Sequence, residues 1–382
     1  MPLFAFSALI HGYVGWRVLP DLAWPAAGIF AFAAVLLATA ILIPAGVMRW
    51  RRRAGPLSPA LAWGALLSIG LFSSLFVLTV LRDGLLVLAA VAAAIGTSIG
   101  AVDLPVGALG AWTAGAVPLL GAFVTAVGFR NARRTAAVVS VDVPIRNLPE
   151  ALHGFTIAQI SDIHVGPTIR GGYLRSIVEA VNALNADLVA VTGDLVDGTV
   201  RELAGHVAPL RELASRHGTF FVTGNHEYYS GAPAWIRQLR GLGVRVLMNE
   251  HVVVRRGGAS LVIAGVTDHG AHHFEPSHRS DPGAAIAGAP VDAAVRVLLA
   301  HQPRSAHAAA QAGFDVQLSG HTHGGQFLPW TLFVRLQQPF TAGLHRLQRM
   351  WVYTSRGTGY WGPPKRFGAP SEITRLRLVP ER

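Results

Sequence analysis

The stretch Phe155-Thr-Ile-Ala-Gln-Ile-Ser-Asp-Ile-His164 decides the fold of the C-terminal two-thirds of the chain. Its apolar first part predicts a buried β-strand, and Ser161, Asp162 and His164 follow directly. Alternate residues of an extended segment point the same way, so Asp162 and His164 can reach one metal ion together. In α/β folds, ligand-binding groups gather where the strands end. The stretch therefore predicts an α/β domain with a ligand site at a strand end.

Four more β-rich runs, at 188–191, 220–222, 295–299 and 316–318, are followed by side chains of the same kind. Helical stretches lie between the runs, and this alternation predicts βαβ units with a substantially parallel sheet. One such motif arises by chance, but five in chain order predict a shared site. The residues concerned are Asp194, Asp197, Asn225, His226, Glu227, His301, His321 and His323.

The donor set of this site is carboxylate, imidazole and amide without sulfur, because the chain has no cysteine. These donors suit Mn, Fe or Zn and do not choose among them. The same absence excludes disulfides, zinc–thiolate sites and cysteine nucleophiles. Gly193, Gly224 and Gly320 stand at three of the strand ends, where glycine suits tight turns with close backbone approach.

As a set, these motifs resemble the signature of the calcineurin-like metallophosphoesterase superfamily, over roughly residues 150–380. The resemblance implies a β-sandwich flanked by helices, with the site at one edge. It also implies two divalent metal ions. By position, Asp162, His164 and His323 would bind the first ion, Asn225, His301 and His321 the second, and Asp194 both.

The resemblance also gives roles to two residues that are not assigned to a metal. It places His226 near the scissile phosphate, where the ring could protonate the leaving group. Asp197 would orient a ligand from outside the metal site. Gly198 follows Asp197, where many relatives have arginine, so any role of such an arginine is in doubt here. For Glu227, a solvated carboxylate without a role is an equal alternative.

The expected activity is hydrolysis of a phosphodiester or pyrophosphate by a water that two metal ions activate. A lipid-linked substrate such as UDP-diacylglucosamine is one candidate, because the arrangement is similar to membrane-anchored bacterial phosphodiesterases of the superfamily. One alternative is a nuclease, and another is a non-catalytic membrane protein that senses phosphate. The net charge of +11 would suit nucleic acid, anionic lipid or phosphorylated substrates. Nucleic acid is not expected as a partner, because no separate nucleic-acid-binding domain is apparent.

The first third of the chain has a different composition, with long apolar runs at 26–48, 60–81, 85–102 and 106–129. A helix needs about 20 apolar residues to cross a bilayer, and three of the runs reach that length. The run at 85–102 is marginal, and 3–19 could be a short first span. We therefore predict about four or five transmembrane helices in residues 1–135, followed by the α/β domain in 136–382. The chain would then be an integral protein of the plasma (inner) membrane, in contact with the lipid bilayer.

Basic residues between the runs bear on the orientation. Clusters at 49–53 and 130–134 both favour the cytoplasm, which requires an even number of crossings between them. If the runs at 60–81, 85–102 and 106–129 all cross, the α/β domain lies outside. The sequence leaves the side open. It also leaves open the roles of the loop 268–273 and of the apolar, basic segment 330–351, which could enter a membrane interface.

Overall fold

The computed structural model describes residues 2–51, 58–98 and 105–381, which form two compact units. The first unit comprises residues 1–130 with Gly362–Lys365, and the second comprises Asn131–Trp361 with Arg366–Arg382. This division falls a few residues before the predicted one and assigns a short later segment to the first unit. Residues 52–53 of the basic cluster and residues 99–102 of the third apolar run lie outside the described residues.

The described part of the first unit is helical. Three of its helices are long and apolar enough to cross a membrane, with candidate spans at Ala26–Arg49, Pro59–Gly96 and Val106–Arg133. The prediction of a membrane-spanning region is therefore confirmed. The helices are α1 Pro2–Val18, α2 Ala26–Arg51, α3 Pro59–Ser98 and α4 Val106–Arg133.

The run at 60–81 and the described part of the run at 85–102 share one helix, α3, and the number of crossings stays a prediction. Arg82 and Asp83 do not interrupt this helix, since tertiary contacts satisfy their charges. Arg82 is 3% exposed, donates to the carbonyl oxygen of Arg17 at 2.8 Å and pairs with Asp21. Asp83 accepts hydrogen bonds from Tyr13 at 2.8 Å and from Arg17 at 3.0 Å.

The second unit contains two six-stranded sheets. The first has the order β1-β12-β2-β3-β4-β5 and the second the order β10-β11-β9-β8-β7-β6. Strands β2 to β5 are parallel to one another, as are β7, β8, β9 and β11, whereas β12–β2, β6–β7 and β10–β11 are antiparallel. The strands are β1 Ala137–Ile145, β2 Thr156–Ile160, β3 Leu188–Val191, β4 Thr219–Phe221, β5 Arg245–Val246, β6 Glu250–Arg256, β7 Ala259–Gly265, β8 Val295–Leu299, β9 Val316–Ser319, β10 Gly343–Leu347, β11 Met350–Thr354 and β12 Glu372–Pro380.

The core lies between the sheets, and helices cover their outer faces. In β3, Leu188 and Ala190 belong to one apolar cluster with residues of the second sheet such as Val297. Val189 and Val191, which alternate with them, belong to another cluster with Leu174 and Trp235 of the flanking helices. This alternation buries both faces of the sheet. The predicted β-sandwich flanked by helices is confirmed, with α5 Gly171–Asn182, α6 Val200–Val207, α7 Asn225–Ser230, α8 Ala232–Gly241, α9 Pro282–Ile286, α10 Ala306–Gln311 and α11 Trp330–Phe333.

Candidate metal centre

The predicted ligands follow strands of both sheets. In the first sheet, β2, β3 and β4 lead into the loops that carry Asp162 and His164, Asp194, and Asn225. In the second sheet, β8 and β9 lead into the loops that carry the remaining histidines. The candidate site is therefore built at an edge of the sandwich to which both sheets contribute.

Five of these residues have a backbone conformation that only glycine adopts without strain. Non-glycine residues with positive φ are uncommon, and such strain costs about 1–3 kcal/mol per residue. It clusters at functional sites, because the surrounding structure must hold the residues in place. The φ angles are 53° for Asp162, 56° for His164, 51° for Asp194, 71° for His321 and 51° for His323.

Glycine at two of the strand ends lets neighbouring loops approach the carboxylates. A Cβ atom at Gly320 would collide with the side chains of Ser161 and Asp162. A Cβ atom at Gly224 would collide with the carboxylate of Asp194. Both positions show the close approach that the sequence predicted.

The first predicted set of ligands converges. The Nε2 atoms of His164 and His323 are 3.0 Å apart, and Nε2 of His323 is 3.5 Å from Oδ1 of Asp162. Asp162, His164 and His323 are buried, and one ligand atom from each lies within 4.8 Å of the others. Three buried donors at this spacing fit one divalent cation.

The second set converges beside it. Nε2 of His301 is 3.0 Å from Oδ2 of Asp194 and 3.2 Å from Nδ1 of His321. The same Oδ2 atom of Asp194 is 4.0 Å from Nε2 of His164 in the first set. Asp194 therefore borders both sets, as the resemblance implies.

Asn225 supplies a further test of the fit. Its Oδ1 atom is buried and has no hydrogen-bond partner among the described residues. Leaving a buried acceptor unsatisfied costs about 1–3 kcal/mol, unless another group supplies the missing interaction. A cation at the second set would supply it, and the oxygen and imidazole donors together suit Mn, Fe or Zn.

Electrostatics favour the ligand forms of His321, His323 and Asp194, whereas burial raises the pKa of Asp162, and nearby carboxylates outweigh burial and raise that of His301. Burial, followed by the charge of His301, lowers the pKa of His321 to about 3. Burial and the neighbouring Arg366 hold the pKa of His323 well below its ordinary value. Burial opposes ionisation of Asp194, but the charges of His301 and His226 outweigh it and hold the pKa of this carboxyl well below its ordinary value. Neutral imidazole and ionised carboxylate are the forms that bind metals.

His226 lies against the first set and is held by Asp197. The Asp197 carboxylate contacts Nδ1 of His226 and lies 3.3 Å from Nδ1 of His164. Burial opposes protonation of His226, but Asp194 and Asp197 outweigh it and raise the pKa of His226 to about 9. His226 also forms a group with His164 and Asp194 that could hold a metal ion, so its role as a non-ligand stays a prediction.

The model of the calcineurin-like phosphoesterase family matches residues 155–325. An uncharacterized metallophosphoesterase of Campylobacter jejuni is 36% identical over 265 residues, which cover 68% of this chain and 68% of that protein. The chain belongs to the calcineurin-like phosphoesterase family.

Two vertebrate members of the family are also similar to this chain. The proteins of Danio rerio and Bos taurus named "Transmembrane protein with metallophosphoesterase domain" are 39% identical over 272 residues and 41% identical over 277 residues. Each match covers 68% of this chain and 62% of the relative. The matched part thus spans less than two-thirds of these relatives.

Glu227 holds two loops of this site together, a role that the sequence motif alone did not reveal. It is fully buried, so the alternative of a solvated carboxylate is wrong. Its oxygens accept from the backbone amides of Gly224 at 2.7 Å, Leu195 at 2.8 Å and Asp194 at 3.0 Å. Glu227 therefore fastens the loop after β3 to the loop after β4, and so fixes Asp194 relative to Asn225.

Arg366 had no signal in the sequence. It is 1% exposed, donates to the carbonyl oxygen of His323 at 2.9 Å, and places Nη2 3.0 Å from Nδ1 of the same residue. It therefore holds both the backbone and the ring of a predicted ligand.

The loop 268–273 contributes no member to the three metal-type groups found in the described part of the chain. Asp268 instead accepts from Nε2 of Gln302 at 2.9 Å, next to His301. Through this contact, Asp268 supports the second set without belonging to it.

Proposed function

We propose that the chain is a membrane-anchored hydrolase of phosphate esters that works with two divalent cations. The observation that carries this proposal is Asp194, whose carboxylate borders both sets of ligand atoms. Two cations held at these sets would activate a water and stabilise the charge of the reacting phosphate oxygens. Family membership supports the same reaction class.

The residues of the chain then divide into binding and proton-transfer roles. Asp162, His164 and His323 hold one cation, and Asn225, His301 and His321 the other. His226 delivers a proton to the leaving oxygen. Because Asp197 engages Nδ1 of His226, Nε2 is the nitrogen that can carry this proton.

Chelation tests the reaction. Chelator-treated full chain should lose hydrolysis of a soluble phosphodiester and regain it with Mn. Asp194→Asn should lose metal content and activity even with Mn present, because the amide has no charge to share between two cations. Asp292→Asn, a change at an exposed aspartate, should behave as the native chain. Full activity of metal-free protein would contradict the proposal, and full metal loading without hydrolysis would favour a phosphate sensor.

For the substrate, we propose a lipid-linked phosphodiester or pyrophosphate, with UDP-diacylglucosamine as the candidate. An apolar segment at 328–336 supports it, since Leu332, Phe333 and Leu336 are 69%, 52% and 82% exposed. Exposed apolar clusters of this kind mark membrane or partner contacts. Within the predicted segment 330–351, Trp351 is not part of this surface, because its Nε1 donates to the carbonyl oxygen of Pro144 at 2.7 Å.

A substitution that introduces a charge into this segment distinguishes lipid-linked from soluble substrates. Leu336→Asp should lower hydrolysis of a lipid-linked pyrophosphate in vesicles relative to hydrolysis of a soluble ester. Val291→Asp places the same charge at another exposed position and should keep the ratio. An equal ratio in both variants would count against the lipid-linked substrate.

The membrane side is part of the proposal. In the part of the chain that the structure describes, α3 and α4 are the helices between the basic clusters at 49–53 and 130–134. If each crosses once, both clusters lie on one side, and the positive-inside rule makes that side cytoplasmic. We therefore place the phosphoesterase unit on the cytoplasmic face of the plasma (inner) membrane.

A further inference from the structure

Three half-exposed aromatic side chains border His226 or one another, and we call them the aromatic rim: Tyr229, Phe274 and Trp361. They are 47%, 54% and 48% exposed. The ring centroids of Tyr229 and Trp361 lie 5.1 Å and 5.7 Å from that of His226, and the centroid of Phe274 lies 5.5 Å from that of Tyr229. The edge-to-face angles, between 62° and 75°, are those that aromatic pairs prefer.

Two residues of the rim, Tyr229 and Trp361, are held by segments that carry predicted ligands. Tyr229 lies on α7, which begins at Asn225. Gln326, three residues after His323, holds the backbone of Trp361 at both polar groups. Its Oε1 accepts from the Trp361 amide at 2.8 Å, and its Nε2 donates to the Trp361 carbonyl oxygen at 2.9 Å. The backbone of Trp361 is therefore held by the segment that follows His323.

The position of the aromatic rim beside His226 indicates which part of the substrate it would contact. His226 is the group that would protonate the leaving oxygen, so the part of the leaving group next to this oxygen must lie beside His226. Tyr229 and Trp361 both pack against His226 and keep about half of their surface exposed. A leaving group bound at the site therefore meets aromatic rings.

We propose that the aromatic rim binds a planar ring in the leaving group of the phosphate ester, as in an aryl or nucleoside ester. This inference rests on the proposed function. Rings present flat faces and polarised edges to another ring, whereas an acyl chain gains nothing from their orientation. Stacking on aromatic side chains also accepts different rings, because each has a π-face.

Two phosphodiesters test the proposal with the Mn-loaded full chain: methyl phenyl phosphate and methyl hexafluoroisopropyl phosphate. Phenol and hexafluoroisopropanol have similar acidity, so the intrinsic reactivity of the leaving groups is comparable, but only phenol is a planar ring. We expect kcat/KM to be about tenfold higher for the phenyl ester, within the range of stacking on one aromatic side chain. Replacing a rim residue should reduce this ratio.

Trp361→Ala keeps the backbone bonds to Gln326 and should bring the ratio close to one, and Tyr229→Ala should act in the same direction. Trp361→Phe should restore part of the preference. Trp112→Ala is the matched control, because Trp112 is 80% exposed and lies in the first unit, outside the rim; it should keep the native ratio.

The outcomes separate this inference from the proposed function. Equal kcat/KM for both esters in the native chain, or a native ratio in both Trp361→Ala and Tyr229→Ala, would overturn the rim as a ring-binding site and leave the hydrolase intact. Hydrolysis of neither ester by metal-loaded protein would overturn the proposed function itself. A nucleoside methyl phosphate and its abasic ribosyl analogue, compared in the same way, distinguish a base from a simple aryl ring.

Discussion

At the scale of single residues, the proposed ligand His321 and the proposed proton donor His226 differ only slightly in placement. His321 contributes Nδ1 to the second set, at 3.2 Å from Nε2 of His301. His226 lies next to the first set, but Asp197 engages one of its ring nitrogens. Both are histidines close to carboxylates, so substitution rather than geometry must distinguish their roles.

We expect His226→Ala to keep near-native metal content while kcat falls by roughly 10²–10⁴, the usual contribution of a general acid or base. His321→Ala should lose metal as well as activity, because it removes a donor of the second set. Metal analysis of the purified variants, together with kcat at saturating Mn, makes the comparison. An equal loss of metal in both variants would make His226 a ligand.

At the scale of secondary-structure elements, the loops that follow neighbouring strands are joined by hydrogen bonds to a buried carboxyl group. Glu227 at the start of α7 accepts amides from the loop after β3. Burial, followed by the nearby Asp194, raises the pKa of Glu227 to about 8, and the bonds from Gly224 and Leu195 oppose this rise. These hydrogen bonds fix the two loops that carry predicted ligands, although burial of the Glu227 carboxyl group is itself unfavourable.

Glu227→Gln should lower stability by about 1–3 kcal/mol, because one accepting oxygen is replaced by a donor that faces backbone amides. Thermal unfolding of the metal-free and the metal-loaded chain measures this change. Glu212→Gln is the control, since the Glu212 side chain is 55% exposed and its ion pair with Arg175 is at the surface. A variant Glu227→Gln with native unfolding in both states would show that the carboxylate does not fasten the loops.

Helix α3 of the first unit also contains a buried side chain that binds neighbouring segments. Its Arg82 is buried and donates to the carbonyl oxygens of Arg17 and Gly110 at 2.8 Å and 3.1 Å. Arg82→Leu leaves these two carbonyl oxygens and the half-exposed Asp21 without this partner, and should cost about 1–3 kcal/mol, the usual penalty for an unsatisfied buried polar group. Thermal unfolding in detergent, with exposed Arg49→Leu as the control, measures the difference. Equal stability of the two variants would mean that solvent or detergent satisfies the charges.

At the scale of the whole molecule, the number of crossings decides which compartment contains the phosphoesterase unit. The natural chain has no cysteine, so a single introduced thiol reports its own surroundings. Val291 is suited to this, because it is 93% exposed and lies in the second unit.

Val291→Cys should react with a membrane-impermeant maleimide in inside-out vesicles and stay unreactive in intact cells whose outer face is accessible. This result follows if α3 and α4 each cross once and the basic clusters are cytoplasmic. Labelling of intact cells would place the unit outside. Denatured samples of both preparations control for the reactivity of the thiol itself.

The sequence by itself determined the fold class and the family, and it predicted the residues that the structure brings together in the candidate metal centre. The β-rich run before Asp162 and the runs before Asp194, Asn225 and His321 are local patterns, and strand ends collect ligands in any α/β fold. Hydrophobic length likewise determined that the first third contains candidate spans. These features depend on residues close together in the chain, which is why a pattern reveals them.

Only the tertiary structure decided which distant residues meet. The contact of Arg366 with His323 and that of Trp361 with His226 arise where loops of the two sheets come together. The continuity of α3 through Arg82 depends on a partner in another helix. Periodicity reports which face of an element is buried but not which side chain lies opposite. The packing of two sheets and of helices against each other brings these partners together, because side chains must fill the space between them and satisfy buried charge.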